Sequence, residues 1–404
     1  MQDTWLLEPQ HRLGHRGLLA LLVCTSLVMP LSLDMYTPAI PHMAEHLDTT
    51  EGMVNLTLVG YYLFFAIGLL VFGPLSDRRG RKPVLVGGLI AYTLGAALCA
   101  LSPTIEVLIL ARIIQALGAG AADSMTNSIA KDAIVPQRRQ LALSFIQLMF
   151  IVGPVVAPIL GAFIVSAFSW HMTFWALTCI GAACCVFSLL FDETLPEGSR
   201  ATGSGAGTVA LFRQTLSDRG FTSFLLVMSL YNVGFMAYIS VASYIYITYF
   251  GLSEMGYSLY FSVVALFTAL GPFSWEVASR VMRPRQFLGG LMGASVVAGV
   301  AMLAFGHIAP LAFCIPFLVF AVCEAAVRPL SVNILLSQAD DGAGTASSTI
   351  NFVCTAVGCV GMLLSQLPWP DYITGLGIII VVSMGAALAG WVWLLRSGIK
   401  VKGL

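Results

Sequence analysis

Apolar stretches of about 20 residues, each long enough to cross a bilayer as a helix, recur along the whole 404-residue chain. Twelve are predicted, near 17–39, 53–74, 83–102, 105–129, 140–166, 171–191, 221–250, 255–277, 286–306, 308–334, 345–367 and 373–395. Only a helix satisfies its own backbone hydrogen bonds in lipid, and the alternating pattern of a membrane β-strand is absent. The expected fold class is therefore an all-α membrane protein with twelve transmembrane helices. The first stretch is too long for a secretory signal and has no small-residue cleavage site before the second, so it is expected to remain as a span.

The longest polar interruption, DETLPEGSRATGSGAGTVALFRQTLSDRG (192–220), is rich in Gly, Ser and charge, as a flexible linker is. It divides the chain into an amino-terminal bundle, 1–191, and a carboxyl-terminal bundle, 221–404, of six spans each. A weak repeat relates them: GPLSDRRGRKP (73–83) closes the second span and GPFSWEVASRVMRP (271–284) closes the eighth. Two pseudo-symmetric six-helix bundles with a site near the midplane between them are a known plan of secondary transporters.

Composition agrees with a membrane chain. Charged residues make up 10% and hydrophobic ones 58%, against roughly 25% charged in soluble domains. The formal net charge is +0, so no nucleic-acid partner is expected. Nine cysteines all fall inside predicted spans, without metal-ligand or secreted-disulfide spacing; they read as small buried apolar residues, and no metal or cofactor is expected. Of the 20 Lys and Arg residues, 18 lie in the tails or in loops of one parity. They include Arg78, Arg79, Arg81 and Lys82 between spans 2 and 3, Arg200 in the linker, and Lys400 in the tail. The loop between spans 10 and 11, with Asp340 and Asp341, is the one on that side without a base. By the positive-inside rule both termini are cytoplasmic, which suits an inner membrane.

The other two bases, Arg112 and Arg328, fall inside spans, where an ionisable group costs at least about 2.5–3.5 kcal/mol and needs a partner or a wet cavity. Asp34, near the outer end of span 1, and Arg112, in the outer half of span 4, lie at similar depth; a direct or water-bridged pair between them is expected. Along span 4, Gln115 follows Arg112 by three residues, Asp123 by eleven, and Asn127 follows Asp123 by four. At 3.6 residues per turn these form one polar stripe, with Gly118 and Gly120 allowing close helix packing. Asp123 reads equally as a second protonatable site or as a structural anchor. Glu324 and Arg328, spaced i,i+4 on span 10, are expected to neutralise each other, with a proton-coupling role for Glu324 left open. A carboxyl between apolar walls, which favour its neutral form, and a cation, which favours its charge, can load and lose a proton. Asp34 beside Arg112 meets that requirement.

Four stretches together resemble a known family. GPLSDRRGRKP looks like the loop 2–3 motif of the major facilitator superfamily, RIIQALGAG like its helix 4 motif, and GPVVAPILGA (153–162) like the helix 5 motif of its antiporters. LDMYTPAIP, closing span 1, is similar to the bicyclomycin/chloramphenicol resistance (Bcr/CflA) type of twelve-helix drug:proton antiporter, and KD (131–132) and DETLP also fit. The resemblance covers the whole chain and is motif-rich in the amino half. It implies proton coupling and drug recognition at Asp34, proton transfer at Arg112, and a conformational latch at Gly73, Asp77, Arg78, Gly80 and Arg81. It also implies a bend with close packing against the facing bundle at Gly153, Pro154, Pro158 and Gly161. Trp275 and Glu276 stand where the first half has Asp77 and Arg78, so a carboxyl-half latch is not expected.

Substrate contacts are expected at Asp34, Tyr36, Gln115, Asp123 and Asn127, and on span 7 at Tyr231, Asn232 and Tyr238, whose aromatic walls suit flat, lipophilic or cationic molecules. Tyr231, Phe235, Tyr238 and Ala242 share a face; Tyr246 and Tyr249 read as an interfacial belt. His42 and His46, in the outer loop after span 1, read as solvent-facing. The expected function is a proton-coupled exporter of drug-like molecules, working as a monomer by alternating access in a lipid bilayer. The rivals are a dedicated exporter of one endogenous metabolite or natural product and, remotely, a sensor without net transport. No nucleophile–base constellation or phosphate loop points to an enzyme.

Overall fold

The computed structural model describes residues 5–7, 10–196, 198, 206–338, 343–399 and 401–404. Arg200, Lys400, Asp340, Asp341 and much of the linker lie outside the described residues. Among the described residues, twelve helices are long and apolar enough to cross a membrane. Spans 1 to 6 are Gly14–His46, Glu51–Arg79, Arg81–Ala100, Ile105–Ala133, Pro136–Ala167 and Trp170–Leu189. Spans 7 to 12 are Arg219–Tyr249, Glu254–Ala278, Pro284–Phe305, Pro310–Leu336, Ala346–Leu364 and Tyr372–Arg396. The chain divides into two compact units, Met1–Ser204 and Gly205–Leu404.

Both units use one packing pattern. In the first, span 4 packs on spans 2 and 3, span 3 on span 6, and span 1 on spans 4, 5 and 6. In the second, span 10 packs on 8 and 9, span 9 on 12, and span 7 on 10, 11 and 12. Glycines set the closest approaches. A Cβ at Gly118 would lie 2.5 Å from the Gly88 carbonyl of span 3, and one at Gly120 2.7 Å from the Phe65 carbonyl of span 2. The same device recurs between the halves' equivalent pairs: a Cβ at Gly161 of span 5 would strike the Met35 carbonyl of span 1, and one at Gly361 of span 11 the Val233 carbonyl of span 7.

Span 1 is not one helix. Its α-helical part ends at Asp34, a 3₁₀ turn follows at Thr37–Ala39, and a short helix, Ile40–His46, completes it. Pro38 and Pro41 cannot donate backbone hydrogen bonds, which explains the break. His42 and His46 thus sit on a helix rather than in a loop, exposed, with the His46 ring nitrogen 2.7 Å from the His42 carbonyl. The last turn of span 7, Tyr244–Tyr249, widens into a π-helix. Among the cysteines, Cys24 and Cys179 are exposed rather than buried.

A strap crosses one end of the first unit. Leu7 donates to the Ala133 carbonyl (2.9 Å) and Val135 to the Trp5 carbonyl (3.0 Å). Gln10 exchanges two hydrogen bonds with the Asp192 backbone, at 3.1 and 2.8 Å.

Candidate functional site

The end of span 1 brings two groups, the Ser32 carbonyl and the Tyr36 ring, to Arg112, which is completely buried. Its Nη1 donates to the Ser32 carbonyl at 3.0 Å and to Gln115 Oε1 at 2.8 Å. Its guanidinium carbon lies 4.5 Å from the Tyr36 ring centroid, 4.2 Å from that of Tyr61 and 5.7 Å from that of Phe174. Nε and Nη2 have no hydrogen-bond acceptor among the described residues, so ring faces supply what carboxylates usually supply; each desolvated cation–π contact is worth about 2 kcal/mol. The cage is itself braced: Tyr36 and Thr57 hydroxyls meet at 3.0 Å, Ser32 and Tyr92 hydroxyls at 2.7 Å. Spans 1, 2, 3, 4 and 6 all contribute.

Asp34 is buried two residues on from Ser32, at 5% exposure, but it does not pair with Arg112. Its backbone carbonyl accepts from the Thr37 hydroxyl at 2.9 Å, and its carboxylate has no hydrogen-bond or ion-pair partner among the described residues. A direct ion pair between Asp34 and Arg112 is therefore absent. Similar depth on two helices does not put side chains on facing sides, and the guanidinium is turned toward the rings.

The span 4 stripe is real but divided. Arg112 and Gln115 are fully buried, whereas Asp123 has 8% exposure and Asn127 is half-buried. Asn127 donates to the Asp123 carbonyl at 3.2 Å, and Asp123 Oδ1 is without a partner. The Thr25 and Thr126 hydroxyls, 2.7 Å apart, tie spans 1 and 4 beside it.

At the basic end of span 2, Arg81 gathers the acidic groups. Its Nη1 lies 2.6 Å from Asp77 and its Nε 2.8 Å from Asp132, and Nη1 also donates to the Ser76 hydroxyl. Gly80 takes φ 98°, a conformation that essentially only glycine adopts. Glu193 caps span 3, its two oxygens accepting from the backbone amides of Arg81 (2.9 Å) and Lys82 (3.1 Å); a carboxylate there also answers the positive end of the helix dipole. Arg78 joins no ion pair among the described residues. Gly73 faces Ser124 of span 4. In the second unit, Trp275 instead packs at a tilt against Phe287, and Glu276 is exposed without an ion pair among the described residues.

The helix 5 motif faces span 1 of its own unit: a Cβ at Gly153 would meet Pro30, and Gly161 sits against Met35. Pro154 and Pro158 lie inside the helix without ending it.

In the second unit, Tyr231 and Tyr238 are buried at 1% exposure each, against span 10. Tyr231 stacks on Phe320 at 6.1 Å; Tyr238 stacks on Phe317 at 3.6 Å, and Phe235 faces the same ring. The shared face is thus a packing face, and Tyr238 is core rather than cavity lining. Tyr246 is likewise no belt residue: it is fully buried, stacked on Tyr260 at 4.9 Å. Asn232 and Tyr231 do line a small cavity, together with Glu324 and Arg328. The last two do not form the expected i,i+4 ion pair.

The sequence model of the Major Facilitator Superfamily matches residues 22–362. The chain belongs to that superfamily. The match spans both units, and this superfamily comprises transporters, not enzymes. Within the superfamily, the chain is 30% identical to a chloramphenicol resistance protein of Pseudomonas aeruginosa, over 88% of this chain and 86% of the relative. It is 27% identical to the multidrug resistance protein MdtL of Escherichia fergusonii over 65% of this chain and 66% of that one. Among solved structures, the peptide transporter POT in complex with sulfate superposes with a TM-score of 0.78, covering 96% of both chains at 15% identity, which speaks for the fold alone.

Several residues of this candidate site are not marked in the sequence. Tyr61 and Phe174 complete the Arg112 cage, yet nothing in their own spans marks them, because which helix faces meet is not encoded locally. Asp132 and Glu193 carried a faint signal: each is a carboxylate in a segment, KD or DETLP, that adjoins a span end.

Proposed function

We propose that this transporter is a proton-coupled exporter of drug-like small molecules, acting as a monomer in the bacterial inner membrane with both termini cytoplasmic. Residues 192–220 serve as the cytoplasmic linker between its two six-span units. Asp34 is the proton-coupling carboxylate. The observation that carries the reading is the pairing of opposites at the end of span 1: a buried carboxylate with no partner, two residues from the carbonyl that holds a buried, aromatic-caged Arg112. A carboxylate of that kind has little to hold its charge, whereas an ion-paired one would stay ionised through a cycle. The multidrug and chloramphenicol resistance relatives support the substrate class.

In the proposed cycle, substrate entering from the cytoplasm displaces the Asp34 proton, the units rock, and reprotonation from outside expels the substrate. A membrane potential of 100 mV supplies about 2.3 kcal/mol per charge moved, or about 40-fold accumulation. Asp123 is a second candidate proton site. Asp77, Asp132 and Arg81 form the latch that opens and closes during rocking.

The test uses everted vesicles with an acidified lumen and a pH-sensitive dye, challenged with chloramphenicol and with lipophilic cations. Drug-induced loss of the gradient in the intact protein, and none in Asp34→Asn, is the expected result. No response to any drug from folded protein sinks the drug-export reading.

A further inference from the structure

Spans 7, 10 and 11 enclose a small cavity of about 30 Å³ within the second unit, room for roughly two waters. Leu225, Met228 and Ile350 give it apolar walls; Asn232, Glu324, Arg328 and Asn351 bring polar groups to it. Glu324 is 7% exposed, yet its carboxylate makes no hydrogen bond or ion pair with the described residues. Arg328, one turn further along span 10, is exposed, and its guanidinium likewise makes no hydrogen bond or ion pair with the described residues.

An acid and a base at i,i+4 are placed to close on each other, and a buried carboxylate left without donors is costly. Here both stay open toward one cavity. A purely cationic ligand would satisfy Glu324 but be repelled by Arg328; a purely anionic one would meet the reverse. Only a molecule carrying both a donor and an acceptor answers both groups, and repulsion of the singly charged alternatives supplies the discrimination. With Cβ atoms about 5–6 Å apart on the helix, the two groups suit a ligand whose charges are a few bonds apart.

We propose that this cavity is the recognition subsite for the head of an amphoteric solute, its ammonium or hydroxyl on Glu324 and its carboxylate or other acceptor on Arg328. Only that head enters the cavity; the apolar body stays outside it, beside exposed Arg328. The proposal rests on the transporter reading above and narrows its substrate class.

The test measures equilibrium binding to the purified full-length protein in lipid nanodiscs, with three probes sharing one ring: phenylalanine, phenethylamine and 3-phenylpropionate. Chloramphenicol is run alongside in the vesicle assay. Phenylalanine should bind at least tenfold more tightly than either singly charged probe. Arg328→Gln, at an exposed position that spares folding, should bring phenylalanine down to the affinity of phenethylamine; Glu324→Gln should bring it down to that of 3-phenylpropionate. Equal affinity for the three probes, or binding of none, overturns the amphoteric subsite. Because wild-type selectivity needs no variant, a misfolded Glu324→Gln leaves the test decisive. Drug-driven proton movement without zwitterion preference would keep the exporter and remove the subsite; zwitterion binding without drug response would do the opposite.

Discussion

Replacing Tyr61 tests whether the Arg112 cage is held by ring faces. The guanidinium carbon sits 4.2 Å from the Tyr61 centroid in a fully buried setting, where a cation–π contact is worth about 2 kcal/mol. Tyr61→Phe keeps that face and deletes a hydroxyl without a hydrogen-bond partner, so its cost should stay within about 0.5 kcal/mol. Tyr61→Leu removes the face and leaves part of the ring's volume empty, adding about 1–2 kcal/mol for the imperfect refill and bringing the total to about 3–4 kcal/mol. In an Arg112→Gln background the cation is gone, and only the packing part should remain. The double-mutant cycle should then return a coupling of about 2 kcal/mol. Reversible unfolding of purified protein in mixed micelles by SDS, followed by tryptophan fluorescence, measures each corner. A coupling below about 0.5 kcal/mol, or a Phe variant as damaging as the Leu variant, would refute the cation–π account.

Two further outcomes are expected. Gly161→Ala and Gly361→Ala should each lower the thermal unfolding midpoint through about 1–3 kcal/mol of overpacking, because each new Cβ meets a carbonyl of the neighbouring span, whereas Gly87→Ala, with open space around it, should leave it unchanged. At the start of span 12, burial alone would raise the Asp371 carboxyl, but the Thr374 amide and hydroxyl and His307 hold it below its ordinary 3.8. Its stabilising contribution is therefore complete above that value and lost as pH falls through the lower folded value, so thermal midpoints of wild type and Asp371→Asn should differ at pH 6 and converge toward pH 2; a constant difference would refute the link.

How much was readable in advance depended on whether the information was local. The twelve spans were legible because length and hydropathy are properties of each segment, and Asp77 and Arg81 because the GPLSDRRGRKP stretch that carries them resembles a known loop motif. An i,i+4 spacing misled at Glu324 and Arg328, where a cavity offers both side chains room to stay apart. The partner of Arg112 was illegible for another reason. Depth along a helix can be counted from the sequence, but its rotation about its own axis is set by packing, and packing turned the guanidinium to Tyr36 and Tyr61 instead of Asp34. Gly153 and Gly161 show the same limit: glycine spacing announced a close approach without saying which helix would make it.

The strap and the Glu193 cap impose an order on assembly. Trp5 and Leu7 are fastened by Ala133 and Val135, Gln10 by Asp192, and the first turn of span 3 by Glu193. Residues made early therefore wait for residues made late. Until span 6 has left the ribosome and entered the bilayer, the beginning of span 3 lacks its Glu193 cap and Gln10 lacks the Asp192 backbone that it closes against. The first unit is thus sealed by its last-made edge, and an insertion halted between spans 5 and 6 leaves five spans in the membrane with that end still open.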